Sequence, residues 1–219
     1  KHKRPDVYNK AQYFLEPKDY LNYYFTGRVC ASFDSITLHW ITDNRDINNI
    51  KYHDGLIKMT GVDKEKLPEL VPTNSIIGTV KNELAQKLGL HDKVKVISGT
   101  GDTHSAAVGS GGVKDFEAHI YVGTSGWLLT HVPFKKTDML HNVGSIPSAL
   151  PGRYLLINEQ ETSGACLNFV KNNILFPTDA IGNQAAPKDF YKLADEAAKT
   201  SAAGSNGVMF TPWLNGERS

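Results

Sequence analysis

The chain of 219 residues carries 24 Lys+Arg against 23 Asp+Glu, with 40% hydrophobic and 10% aromatic residues. That length buries a sizeable core, as one large domain or two of roughly 110 residues, and a formal net charge of +1 excludes a strongly basic nucleic-acid binder or an acidic disordered tail as the main theme. No apolar run reaches the roughly 18 residues that a membrane-spanning helix needs.

The opening Lys1-His2-Lys3-Arg4-Pro5 is polar and leads into no apolar signal core. With no initiator Met and a stop at Ser219 just after Gly216-Glu217-Arg218, the chain reads as a piece of something longer. Pro17-Lys18-Asp19-Tyr20-Leu21 opens a short helix, with Gly27 placed to stop it. On that helix Tyr20, Tyr23, Tyr24 and Phe25 recur at helical spacing and read as core or domain-packing residues rather than an aromatic platform for a ligand. Residues 46–60 carry a looser apolar period at Ile50, Leu56, Ile57 and Met59, and are expected to form a helix ended by Gly61. In residues 79–90, Val80, Leu84 and Leu88 repeat every four positions and predict a helix ended by Gly89.

Residues 93–98 alternate as a strand that runs into glycine, and residues 118–122 form a second strand that also ends in glycine. Between Ser98 and Gly126 lie seven of the 19 glycines (Gly99, Gly101, Gly109, Gly111, Gly112, Gly123 and Gly126), a density that marks backbone turning tightly or lying close to a ligand. Further strands are expected at 127–130 and 153–157. Helices are expected from Ser163 to Ile174, with Leu167, Val170 and Ile174 on one face, and from Phe190 to Lys199. Strands alternating with helices predict an α/β chain. The two cysteines, Cys30 and Cys166, have no metal-ligand spacing and read as reduced thiols in a cytoplasm-like compartment. Lys135-Lys136 reads as a solvated face.

Two segments carry chemistry. Ser98-Gly99-Thr100-Gly101-Asp102-Thr103-His104 follows a strand, and open α/β sheets place ligands beyond the carboxyl ends of their strands. A carboxylate there accepts a proton from a substrate hydroxyl or helps to hold a cation. An Asp at this place also caps a helix beginning near Ser105, so both readings of Asp102 stand. The Asp102-Thr103-His104 spacing has a form that binuclear metallophosphoesterases use, but His119, His131 and His141 are isolated and no further ligand segment follows. No metal ligand is therefore assigned, and His104 reads as a packing residue or as one that supports a site residue without touching the ligand. The second segment, Tyr121-Val122-Gly123-Thr124-Ser125-Gly126, offers amides and two hydroxyls to an anion, although such a tetrapeptide also makes an ordinary hairpin turn. Trp127 follows it directly and either packs under the turn or faces a ligand.

The ordered series of motifs resembles the FGGY carbohydrate kinases, and within them the xylulokinase-like branch. It runs from Leu15-Glu16-Pro17-Lys18-Asp19-Tyr20-Leu21 and Thr26-Gly27 through Leu67-Pro68-Glu69-Leu70-Val71, Ile77-Gly78-Thr79-Val80 and Gly99-Thr100-Gly101-Asp102. It closes with Val122-Gly123-Thr124-Ser125-Gly126, Ala165-Cys166-Leu167-Asn168-Phe169 and Phe210-Thr211-Pro212-Trp213-Leu214-Asn215-Gly216-Glu217-Arg218. The resemblance implies an actin-like, ribonuclease-H-like fold of two α/β domains that close over ATP, Mg²⁺ and a sugar. On it, residues 1–110 are the last part of the first, sugar-binding domain and residues 111–219 the first part of the second, ATP-binding domain, with the boundary near Ser110-Gly111-Gly112.

The resemblance further implies roles. Asp102 matches the catalytic base that takes a proton from the sugar hydroxyl, and Thr103 the neighbouring sugar contact, a place where relatives often carry Asn or Gln. Gly123, Thr124 and Ser125 match the second phosphate-binding turn, and Glu217-Arg218 an ion pair that orders a Gly-Glu-Arg turn. A pentulose such as xylulose is the implied substrate, and a homodimer is one implied assembly. The family's first phosphate loop, an Asp-x-Gly-Thr segment, and its glycine-rich adenosine segment have no counterpart in the chain, so the chain alone is expected to have little or no kinase activity. A noncatalytic sugar- or nucleotide-binding module and an actin-like ATPase remain the competing functions.

Overall fold

A computed structural model describes residues 1–91 and 93–216. They fall into two units. The first holds residues 1–119, 129–139 and 143–157, and the second residues 120–128, 140–142 and those from Asn158 onward.

The first unit opens with α1 (Pro5–Lys10) and α2 (Pro17–Thr26). Pro17 sits where α2 needs no amide donor. Gly27 ends that helix at φ +82°, its amide donating to the Tyr23 carbonyl at 2.7 Å. Next come β1 (Cys30–Ser32) and α3 (Phe33–Ile36), then β2 (Thr42–Asp43) and β3 (Lys51–Tyr52), which pair antiparallel. After α4 (Asp54–Thr60), β4 (Glu69–Val71) pairs parallel with β1, setting Cys30 opposite Glu69 and Ser32 opposite Val71. The next strand, β5 (Ile76–Thr79), leads to α5 (Asn82–Leu88) and then β6 (Lys95–Ile97), which returns antiparallel to β5. Cys30, Val71 and Ile77 form a buried cluster against which Val96 packs. β6 is followed by the buried Ser98, and four residues later α6 (Asp102–Gly109) begins.

A four-stranded sheet follows, built from β7 (Ala118–Val122), β8 (Gly126–Val132), β9 (Val143–Pro147) and β10 (Tyr154–Gln160) in the spatial order β7-β8-β10-β9. Within the first unit its buried side chains include Leu129, Val132, Tyr154 and Leu155, with His131, Ser145 and Pro147 beside them. The second unit adds α7 (Gly164–Phe169), which widens into a π-helical turn over Val170–Leu175, and α8 (Phe190–Lys199).

Several expectations are corrected. The aromatic stripe of α2 faces out, with Tyr20 54% exposed and Tyr23 and Tyr24 exposed beside it, whereas Asp19 and Asn22 are buried. The reason is polar pairing. Asp19 accepts from Lys18 Nζ at 2.5 Å and from the Ser35 hydroxyl at 2.6 Å, while Asn22 Nδ2 donates to the Ser98 carbonyl at 2.7 Å. The helix expected over 46–60 is confined to α4, because Asp46 Oδ1 accepts the Asn48 amide at 3.0 Å and closes a turn, and the His53 ring caps Leu56 N at 3.2 Å. In α5 the buried side chain is Ala85, and Leu88 is exposed. Of the face formed by Leu167, Val170 and Ile174, Leu167 and Ile174 are exposed and Val170 is half-buried. Lys135 is not solvated like Lys136: it lies over the Tyr154 ring and donates to the Ser145 carbonyl. Glu217-Arg218 lies outside the described residues.

Candidate functional site

The segment from Ser98 to Gly101 is tied down residue by residue. The Ser98 carbonyl accepts Asn22 Nδ2 at 2.7 Å and Lys18 Nζ at 3.0 Å, so α2 holds the strand end. Gly99 takes φ +73° and donates its amide to the Thr73 carbonyl at 2.9 Å. That positive φ is a conformation side chains resist, which accounts for glycine at this turn. The Thr100 hydroxyl and the Gly101 amide both donate to Asp34 Oδ2, at 2.6 and 3.0 Å.

Gly101 is the N-cap of α6, and Asp102 is its first residue. Asp102 therefore does not cap the helix. It is exposed, and its Oδ1 accepts the Thr103 amide at 2.8 Å. A carboxylate in the first helical turn is stabilised there by the positive end of the helix, and exposure leaves it open to a ligand. Thr103 stands beside it, half-buried. His104 is buried, with Nε2 at 2.9 Å from the Pro147 carbonyl and Nδ1 at 3.8 Å from Asp34 Oδ2, a packing position as the sequence suggests.

Two pKa shifts mark this cluster. Burial opposes the Asp34 charge, but the His104 ring and the neighbouring donors Ser32, Thr100 and Gly101 outweigh it and hold the carboxyl below the usual carboxylate range. Burial is also the largest influence on His104. It pushes that ring below the ordinary histidine range, against the opposite pull of Asp34 and Asp102.

The second turn lies in the second unit. Gly123, Thr124 and Ser125 connect β7 to β8 as a hairpin, closed by Gly123 N to Ser125 O at 2.9 Å. Its carbonyls are anchored at the start of α7: Thr124 O accepts Ser163 N at 2.8 Å and Gly123 O accepts Gly164 N at 2.7 Å. Those anchors leave the hydroxyls of the exposed Thr124 and the half-buried Ser125 as donors of the kind that phosphate oxygens accept. The Tyr121 ring lies over Gly123 and meets Trp127 at 5.3 Å between centroids. A cavity of about 610 Å³ opens beside the hairpin, lined among others by Tyr121, Trp127, Thr162, Ser163 and Cys166. Trp127 Nε1 and Thr162 Oγ1 are buried there without hydrogen-bond partners. Cys30 and Cys166 are both free thiols, and no group of three or more His, Cys, Asp or Glu side chains placed to hold a metal occurs among the described residues.

Residues 1–109 match the model of the FGGY family of carbohydrate kinases, N-terminal domain. The chain belongs to the FGGY family. It is 29% identical over 223 aligned residues to a xylulose kinase of Staphylococcus epidermidis, covering 98% of this chain and 40% of that protein. Two solved FGGY-type structures align over almost the whole chain. The ligand-bound xylulose kinase of Lactobacillus acidophilus is 26% identical with a TM-score of 0.78, covering 99% of this chain and 41% of that one. The xyloylose kinase of Brucella ovis, at 24% identity, covers 100% of this chain and 42% of that one with a TM-score of 0.82, and so shows the fold. The fold is that of the FGGY sugar kinases, actin-like and ribonuclease-H-like, and the chain spans about 40% of the length of the curated relatives it matches.

Asp34, Asn22 and Lys18 were not singled out as site residues by sequence reasoning. A buried carboxylate that meets its partners 66 positions away leaves no local pattern.

Proposed function

We propose that the full-length protein carrying this sequence transfers the γ-phosphoryl group of ATP to a sugar hydroxyl, with a pentulose of the xylulose type as acceptor. The observation that carries this reading is the exposed Asp102 carboxylate at the start of α6, on a glycine turn beyond the end of β6, in a chain whose matches include xylulose kinases.

Phosphoryl transfer needs positioning, charge neutralisation and a base aligned with the nucleophile. Asp102 takes the proton of the attacking hydroxyl as the oxygen–phosphorus bond forms and the bond to the ADP oxygen breaks. Thr103 lies next to it, where it contacts the sugar. The phosphates rest on the hairpin of Gly123, Thr124 and Ser125, whose hydroxyls suit their oxygens. Mg²⁺ neutralises phosphate charge in such reactions, and no residue of this chain is assigned to it. Residues 1–110 form part of the sugar-binding domain and residues 111–219 part of the ATP-binding domain, and the protein acts in the cytoplasm, in keeping with its two free thiols.

The test is ADP release by the full-length protein across a panel of ketoses, aldoses and polyols, with Asp102→Asn beside the wild type. Stimulation by one sugar, lost by 10²-fold or more in the variant, is expected from the usual contribution of a general base. ATP turnover indifferent to every sugar points instead to an actin-like ATPase. Sugar or nucleotide binding without turnover points to a noncatalytic module.

A further inference from the structure

Asp34 is only 2% exposed, and its Oδ1 is buried without a hydrogen-bond partner. Its other oxygen is spent on two donors, the Thr100 hydroxyl at 2.6 Å and the Gly101 amide at 3.0 Å. These are the two residues immediately before Asp102, and Gly101 is the N-cap that sets where α6 starts. The preceding stretch has other holders, since Asn22 and Lys18 grip Ser98 and the Thr73 carbonyl takes the Gly99 amide. Asp34 holds the final two links.

We propose that Asp34 is a positioning residue for the Asp102 carboxylate. It acts through the Thr100-Gly101 backbone and touches no substrate. The proposal rests on the reading of Asp102 as the base. A base has to reach about 3 Å from the proton it removes, and a misplacement of about 1 Å costs on the order of 10²-fold. A turn released from Asp34 is free to move by such amounts while the hairpin of Gly123–Ser125 is untouched.

The experiment uses the full-length protein with Asp34→Ala, Asp34→Asn, Thr100→Val and Asp102→Asn. Turnover is expressed per ATP-competent molecule, counted by titration with a nonhydrolysable ATP analogue, so that misfolded protein drops out. Asp34→Ala is expected to lower kcat at least tenfold with KM for ATP within twofold, and Asp34→Asn, which keeps an acceptor toward Thr100 and Gly101, to recover most of the loss. A fall of less than threefold in Asp34→Ala, or an Asn variant no better than the Ala variant, overturns the proposal. Should Asp34→Ala yield no competent molecules, Thr100→Val decides: a fall of threefold or more supports positioning, and a smaller one overturns it. Asp102→Asn separates the two claims. If it retains turnover, the base reading fails and this proposal falls with it. If it abolishes turnover while Asp34→Ala and Thr100→Val stay near wild type, only the positioning role is lost.

Discussion

The Gly164 amide donates to the Gly123 carbonyl at 2.7 Å, and a Cβ built on Gly164 would lie 2.5 Å from that same oxygen. The start of α7 is thus pressed against the hairpin so closely that only glycine fits. The contact is backbone on one side, so no flexible side chain is available to yield.

Gly164→Ala is therefore expected to destabilise the protein by about 1–3 kcal/mol, the usual cost of forcing an extra carbon into a packed site. Gly144→Ala is the control, because a Cβ there meets nothing within 4 Å. Denaturant unfolding of both variants checks the difference. Equal midpoints would show that α7 and the hairpin separate without cost. On the proposed reading of the hairpin as a phosphate contact, the same substitution in the full-length protein is expected to raise KM for ATP, since it displaces that turn.

A second expectation concerns the inward face of α2. Asn22→Ala removes a buried donor to the Ser98 carbonyl, which keeps Lys18 Nζ at 3.0 Å as its remaining partner. Because that acceptor stays satisfied, the loss is expected at about 1–2 kcal/mol rather than the full penalty of an orphaned group. Tyr24→Ala on the exposed face is expected to change stability by less than about 0.5 kcal/mol. Chemical denaturation of the two variants tests the inversion of this helix, and a larger loss from Tyr24→Ala would contradict it.

Local patterns in the sequence were enough to place the Asp102 turn and the hairpin, because each is a strand end, a glycine and a polar residue in immediate succession. The glycine stops of α2, α4 and α5 were legible for the same reason: Gly27, Gly61 and Gly89 all take positive φ. What escaped was set by partners far along the chain. Asp19 and Asn22 look solvent-facing until Ser35 and Ser98 arrive to pair with them, so the aromatic period of α2 marks its exposed face and not its core face. β1 and β4 are three residues each, too short for alternation to register, and their pairing joins Cys30 to Glu69. Asp34 sits in a four-residue helix and reads as an ordinary first-turn acid until Thr100 and Gly101 are folded onto it.

The buried His104 predicts how the first unit responds to acid. Its pKa in the folded protein is depressed, chiefly by burial, with Asp34 and Asp102 pulling the other way. The unfolded chain takes up a proton near the ordinary histidine value of about 6.5, which the folded chain refuses until lower pH. Stability from this group is therefore complete above about pH 6.5 and is lost as pH falls toward the folded value. Asp34, also depressed, adds a further loss of the same sign below the ordinary aspartate value of about 3.9. His104→Gln keeps an amide donor toward the Pro147 carbonyl, 2.9 Å from Nε2 in the wild type, but cannot titrate. Urea midpoints measured from pH 8 to pH 5 are expected to fall more steeply in the wild type than in His104→Gln. Parallel profiles would mean that His104 takes its proton in the folded state as readily as in the unfolded one, and that burial does not hold the ring neutral.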